Sequence, residues 1–402
     1  MNGVGSQFTV RAGPVEGVGP DADLFDRSIR NDTSAPRHSE STYELINRRV
    51  GPLWEEMRTD LNQWFNNFPQ DGREDLRRRF QESKSEQHVG AWWELYVHAL
   101  LRRLNYRVSL HPSIPGTRRR PDFLAENDEE TFYVEATHVR SGIVDEGRES
   151  DREDVIFDLV NQASSTDFTV SMELERVGVE TPSASEIVRP LEQWLSTLSA
   201  DDVEKEQSEG GSLPWLAISA RDWVMTFEAV PISRPHRGQA ERILGFYPGK
   251  TGFVNDIQKS RAALDRKKRR YGKPDRPMII ALLSDSWFFD DDDVGQCLFG
   301  SEAVQYRQND PTFKPRLVRQ RDGFWMSNRG PSGKGISAVL HADCLRPWSF
   351  RAVTPRLWIN PWAQLELESH MGLPLGLADD DGMVRLEEGK VSSAGLFGGK
   401  RE

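Results

Sequence analysis

The chain has 402 residues, 37% of them apolar and 29% charged, with a net charge of −11. That length calls for more than one structural unit, and the composition is that of a soluble globular protein with solvated tails. The negative balance argues against a protein that coats nucleic acid everywhere, while leaving room for a local basic groove.

No apolar run approaches the ~20 residues that span a bilayer. The opening MNGVGSQFTVRAGPVEG lacks the charged start and apolar core of a secretory signal. Cys297 and Cys344 stand outside any CxxC pair, which disfavours zinc knuckles and disulfide scaffolds. A cytoplasmic protein without a membrane partner is expected.

Residues 1–40 are rich in Gly, Pro, Ser and Asp and read as a disordered or loosely draped arm. From Thr42 to Phe80, Leu45, Leu53, Trp54, Met57, Leu61, Trp64 and Phe65 recur at helical spacing. Two or three helices are predicted over 41–85, broken near Pro69. A further helix follows in EQHVGAWWELYVHALLRRLNYRV, with Val89, Trp92, Trp93, Tyr96, Leu100 and Leu101 as its apolar stripe. Tyr106–Leu110 reads as a strand, and Asp122–Ala125 with Phe132–Thr137 as a hairpin around a polar turn.

Val155–Ala163 reads as a helix, Phe168–Glu175 as a strand, and Ser185–Leu198 as a helix that ends before an acidic loop. Trp215–Ser219 and Trp223–Pro231 are predicted strands, and their aromatic residues, with Trp194 and Phe227, read as core. A basic helix is expected from Asn255 to Tyr271 and a buried strand over Pro277–Leu283. The remainder, 288–387, reads as an α+β C-terminal unit able to hold a protein partner or a second copy, and 388–402 as a flexible tail.

Charge is unevenly spread. Leu101–Arg120 holds Arg102, Arg103, Arg107, Arg118, Arg119 and Arg120 without an acid. Thr251–Lys273 holds eight Lys or Arg against Asp256 and Asp265. Arg118, Arg119, Arg120, Lys259, Arg266, Lys267, Lys268, Arg269 and Arg270 are therefore the candidate nucleic-acid contacts, expected to border one groove; solvated helix faces are the alternative.

The hairpin carries the chemistry. A turn centred between Asp128 and Glu129 pairs Asp122 with Glu135, with Cβ atoms ~4.5–5.5 Å apart on one face. Phe132, Val134 and Ala136 then face the opposite way, into the core. Two carboxylates so close repel unless a cation joins them, and a hard divalent ion takes such oxygen ligands. Glu94 is a third acid, set among large apolar residues. It either points at a cation or pairs with Arg102, Arg103 or another neighbour. His138 alternates away from Thr137 and reads as a packed histidine.

The order of a helix bearing Glu94, a strand, Pro121-Asp122, a hairpin and Glu135-Ala136-Thr137 resembles the PD-(D/E)XK nuclease superfamily. The resemblance covers residues 86–140 and resumes over 255–283. It implies a restriction endonuclease-like αβββαβ core (an α/β fold over 86–287), interrupted by an α+β insertion at about 145–250. It also implies a Mg²⁺- or Mn²⁺-dependent nuclease acting on DNA ahead of RNA, in bacterial restriction or anti-phage defence. Asp122 and Glu135 would be the metal ligands and Glu94 the supporting acid.

Thr137 stands where the superfamily has a lysine, and a hydroxyl cannot carry that charge. Three readings keep the hairpin functional. The cation comes from the basic helix, as Lys267 or Lys268; the metal does more of the work; or the site is a silent nucleic-acid-binding or assembly module. The fourth is a hairpin without such a role. RGPSGKGIS (329–337) lacks the spacing of a nucleotide phosphate loop and reads as a turn. Asp290–Asp293 reads as a solvated loop.

Overall fold

The structure is a computed structural model that describes residues 23–82, 85–140, 147–240, 242–246, 256–286, 289–307, 313–379 and 382–398. Helix α1 (Thr42–Arg48) begins in a capping box, Ser41 with Glu44, which satisfies two otherwise orphaned N–H groups. Pro52 opens α2 (Pro52–Asn67), and α3 (Gln70–Phe80) starts directly after Pro69. Next comes α4 (Ser85–Arg103), closed by Asn105 at a left-handed φ of 67°. Trp64, Phe65, Leu76 and Phe80 bury against Trp92, Trp93 and Tyr96 of α4.

The expected loose arm does not hold for residues 23–40. Leu24 and Phe25 are buried in the same core, and Asn62 bonds both the N–H and the carbonyl of Phe25, at 2.8 and 3.0 Å. Each such buried side chain contributes ~1.5–3 kcal/mol, which outweighs the polar composition around it. Residues 1–22 of that expectation lie outside the described residues.

Three antiparallel strands follow: β1 (Arg107–Leu110), β2 (Phe123–Glu126) and β3 (Thr131–Arg140). The hairpin register pairs Phe123 with Val134 and Glu126 with Thr131; this is the register expected from the turn, and its continuation points Asp122 toward Glu135, although the pairing itself ends at Phe123 and Val134. Strand β3 outruns β2 and leaves its residues from 135 onward with a free edge on that side.

The chain then leaves the sheet. Helix α5 (Gly147–Val160), strand β4 (Phe168–Arg176), helices α6 (Ala184–Leu195) and α7 (Ala200–Ser208), and strands β5 (Trp215–Ala220), β6 (Trp223–Pro231) and β7 (Leu244–Phe246) form a separate layer. Their sheet runs β5-β6-β4-β7 over its own apolar core. The acids at 201–209 form α7 rather than the expected loop, because Ser199 caps the N-terminus and Asp201 and Asp202 fill its first turn. Trp223 and Phe227 are core as read, but Trp215 is 67% exposed.

Helix α8 (Asp256–Lys268) and strand β8 (Met278–Asp285) return to the main sheet, where β8 lies parallel to β3 with Glu135 beside Ile280. Helix α9 (Asp291–Phe299) is capped by Asp290, whose carboxylate accepts the N–H groups of Asp292 and Asp293. That acidic run is thus a helix start, not a loop. Two small hairpins follow, β9 (Glu302–Gln305) with β10 (Arg316–Arg319) and β11 (Met326–Ser327) with β12 (Gly330–Pro331).

Strands β13 (Ala338–Asp343), β14 (Arg356–Ile359), β15 (Leu375–Ala378) and β16 (Val384–Glu387) extend the same sheet, in the order β1-β2-β3-β8-β13-β14-β15-β16. The expected C-terminal unit is therefore not separate: β13 pairs in parallel with β8 along six residues. The expected tail is partly ordered, with α10 (Ser393–Phe397) burying Phe397 beside Trp64 and Tyr96.

The result is a mixed α/β protein around an eight-stranded mixed sheet, with apolar clusters on both faces of its central strands. Phe132, Val134 and Ala136 lie beneath α4, while Tyr133 shares a cluster with Leu264 and Tyr271 on the α8 side. Met278–Leu283 is buried at every position, as a central parallel strand requires. No helix of the described residues is long and apolar enough to cross a membrane.

Candidate functional site

The site lies where β2 and β3 part. Asp122, just before β2, closes the free edge of β3 by accepting the Ala136 N–H at 2.7 Å through Oδ2. Burial, followed by the like charges of Glu135 and Glu94, holds the Asp122 carboxyl well above the ordinary carboxylate range. The Ala136 N–H and the Lys267 ammonium oppose that shift without cancelling it.

Glu135 is 1% exposed, and among the described residues its charge is met by Lys267 at the end of α8 and by Arg270 just beyond it. Lys267 Nζ lies 2.5 Å from Oε1 and Arg270 Nη1 3.1 Å from the same oxygen. Tyr271 donates its hydroxyl to Oε2. Burial and the facing Glu135 carboxylate raise the Tyr271 phenol, so it stays a donor. Lys267 also reaches the Ala136 carbonyl at 3.4 Å. Leu264 and Tyr271 sit in the core on this side of the sheet, Leu264 fully buried, which turns the α8 edge carrying Lys267 toward β3.

Glu94 projects from α4 into a bidentate pair with Arg79 of α3, at 2.9 and 2.6 Å. Arg79 also holds Asp75 at 2.7 Å. Glu94 thus pairs with a neighbour, and that neighbour is not Arg102 or Arg103.

Glu94, Ala136, Thr137, His138 and Lys267 line one cavity of about 280 Å³ with Arg79 and Glu86. Side chains from both faces of β3 line it, Thr137 from one and Ala136 and His138 from the other. Within it, His138 lies under α4, where a Cβ on Gly90 would sit 3.5 Å from its ring. Burial pushes its imidazole down, so it is a packed, neutral group.

The remaining candidates divide. Lys268 is turned away from Glu135: its Nζ pairs with Asp265 at 2.8 Å and lies 5.0 Å over the Phe324 ring. Arg118, Arg119, Arg120, Arg266, Arg269 and Arg270 are exposed and Lys259 is half-buried. Arg120 is tied to the site through its carbonyl, 3.3 Å from the Tyr271 hydroxyl. Arg270, read as a phosphate contact, spends its guanidinium on Glu135.

Two functional residues escaped the sequence reading. Tyr271 appeared there only as the end of the expected basic helix. Arg79, in the run Arg77-Arg78-Arg79, carried no signal marking one arginine for Glu94.

The donor set can be tested against a divalent ion. Glu135 is buried and Asp122 half-buried beside it, and among the described residues no Lys or Arg forms an ion pair with Asp122. Both oxygens of Glu135, by contrast, already have protein partners. Among the described residues no group of three or more His, Cys, Asp or Glu stands together, so a cation here would have only Asp122 and the already paired Glu135 as carboxylate ligands. Compared with known protein families, curated proteins and solved structures, the chain finds no match.

Proposed function

We propose that the chain is a divalent-metal-dependent nuclease of the PD-(D/E)XK type, hydrolysing DNA or RNA phosphodiester bonds. The observation that carries this reading is the contact between Lys267 and Glu135: the cation absent from position 137 arrives from α8 at the carboxylate pair. The order α4-β1-β2-β3-α8-β8, with β8 parallel to β3, supports a restriction endonuclease-like core. A bacterial restriction or anti-phage setting rests on the resemblance alone.

In this reading Asp122 and Glu135 hold Mg²⁺ or Mn²⁺, which supplies Lewis acidity and a more acidic water. Lys267, 21% exposed in its side chain and lining the cavity, offers its ammonium to the scissile phosphate. There it offsets the charge that grows as water adds to phosphorus and a P–O ester bond breaks. Thr137 donates or accepts a hydrogen bond to position that water. Glu94, fixed by Arg79 and lining the same cavity, is the supporting acid of this reading.

A second reading is supported by the paired state of Glu135: a silent nucleic-acid-binding or assembly module on the same fold. The experiment separates the two. Wild type, Asp122→Asn and Glu135→Gln are incubated with plasmid, linear duplex, single-stranded DNA and RNA plus Mg²⁺ or Mn²⁺. Metal-dependent cleavage by wild type that both variants lose supports the nuclease. Salt-sensitive binding without cleavage supports the silent module.

A further inference from the structure

The two lysines that end α8 go to different places. Lys267 meets Glu135, whereas Lys268 borders a cleft of about 170 Å³ with Tyr271, Gly272, Pro274 and the segment Gly333–Ile336. That volume is below the ~300–1,000 Å³ of sites for drug-sized ligands and suits a small anion. Two glycine turns form its walls. Gly272 and Gly333 have φ values of +64° and +62°, a conformation that favours residues without a Cβ. A Cβ on Gly335 would lie 3.5 Å from Pro274 Cδ, across the gap between the turns.

Among the described residues, the N–H groups of Gly333, Lys334 and Gly335 donate to no backbone carbonyl. Successive N–H groups around a left-handed glycine are the elements of an anion nest. Lys334, Lys273 and Arg276 are exposed on the same two turns. Of the acids nearby, Asp265 is paired with Lys268 at 2.8 Å; Asp275 accepts the Tyr133 hydroxyl at 3.0 Å and keeps its charge, against the three cations Lys273, Arg276 and Lys334. Tyr271 connects the two places, since it borders this cleft while its hydroxyl bonds Glu135.

We propose that this cleft seats a phosphate group. Resting on the nuclease reading above, that group is a backbone phosphate of the substrate other than the one cleaved. The segment RGPSGKGIS, which lacks nucleotide-loop spacing, then acts as a positioning contact next to the catalytic pair.

The test uses the full chain as wild type, Lys334→Gln and Gly335→Ala. The alanine changes no charge and places a methyl between the two turns, and thermal melting confirms that both variants fold. Inorganic phosphate and pyrophosphate are titrated by calorimetry. Lys334→Gln is expected to bind about tenfold more weakly, about the loss of one charged hydrogen bond, and Gly335→Ala about tenfold more weakly through the methyl that narrows the gap. No binding by wild type, or equal binding by all three, overturns the proposal.

Duplex binding across a salt series then identifies the source. Lys334→Gln should lower the slope of log K against log salt by about 0.9. An equal effect on 5′-phosphorylated and 5′-hydroxyl oligonucleotides supports an internal phosphate. An effect confined to the phosphorylated end overturns the internal assignment in favour of a terminal phosphate. Phosphate binding that persists while no nucleic acid binds refutes the nuclease reading and leaves the cleft standing. Normal cleavage with an unchanged slope in both variants overturns the cleft as a substrate contact and leaves the nuclease standing.

Discussion

Replacing Lys267 with glutamine removes the contact on which the catalytic reading depends while keeping most of its stem. Two effects follow, and the structure assigns them different sizes. For stability, breaking a buried ion pair costs ~3–5 kcal/mol when the remaining charge is left alone. Glu135 is not left alone, because Arg270 remains at 3.1 Å and Tyr271 still donates to Oε2. With Lys267 itself 21% exposed, solvent screening reduces the loss further, to about 1–2 kcal/mol. A chain this long should still fold, with a melting point lowered by a few degrees.

For catalysis, loss of one preorganised charge at the phosphate costs ~10²–10³ in rate. Arg270→Gln is the control. It removes the more exposed cation from the same oxygen but leaves Lys267, so its rate should stay within about tenfold of wild type. Single-turnover cleavage at saturating Mg²⁺, with circular dichroism melting alongside, reads both effects. If folded Lys267→Gln cleaves as fast as wild type, or if Arg270→Gln is the slower enzyme, the assignment of Lys267 as the relocated cation is refuted.

Other predictions concern the scaffold and its charges. Arg79→Ala strips both guanidinium bonds from Glu94 and should lower unfolding free energy by about 1–3 kcal/mol; an unchanged urea midpoint would show that the pair contributes nothing. Phe25→Ala, at a fully buried position, should cost ~3–5 kcal/mol, and an unaltered melting point would mean residues 23–40 are not part of the core. His88 and His98 are held near 4 and His341 near 3, each chiefly by burial. Their neutral forms fit the fold, so their contribution is complete above the unfolded value of ~6.5 and is lost as pH falls toward the folded ones. Unfolding free energy should therefore drop between pH 7 and 5, by on the order of 1–2 kcal/mol per histidine; a flat profile would contradict their burial as neutral rings.

Much of the local structure was legible because it rests on short-range physics. The apolar stripe of α4, the alternation of β2 and β3 and the all-apolar β8 follow from periodicity, and the turn at Asp128-Glu129 set the register that opposes Asp122 to Glu135. Caps were under-read. Ser199 and Asp290 turn acidic runs into helix starts, since carboxylates in a first turn are favoured by the helix dipole.

Which long-range partners meet could not be read from sequence. Burial of Leu24 and Phe25 depends on a pocket made by α1, α2 and α3, with Tyr43, Asn62 and Phe80 around Phe25. The joining of β13–β16 to one sheet depends on the parallel pairing of β13 with β8. The sequence by itself determined that two carboxylates share one face and that Thr137 lacks the charge to join them. Only the tertiary structure decided that the end of α8 and the turn after it bring Lys267, Arg270 and Tyr271 to Glu135, that Lys268 goes elsewhere, and that Arg79 holds Glu94. The reason is physical: a buried charge must be matched by whichever donor the packing of distant helices delivers, and spacing along the chain does not encode that distance.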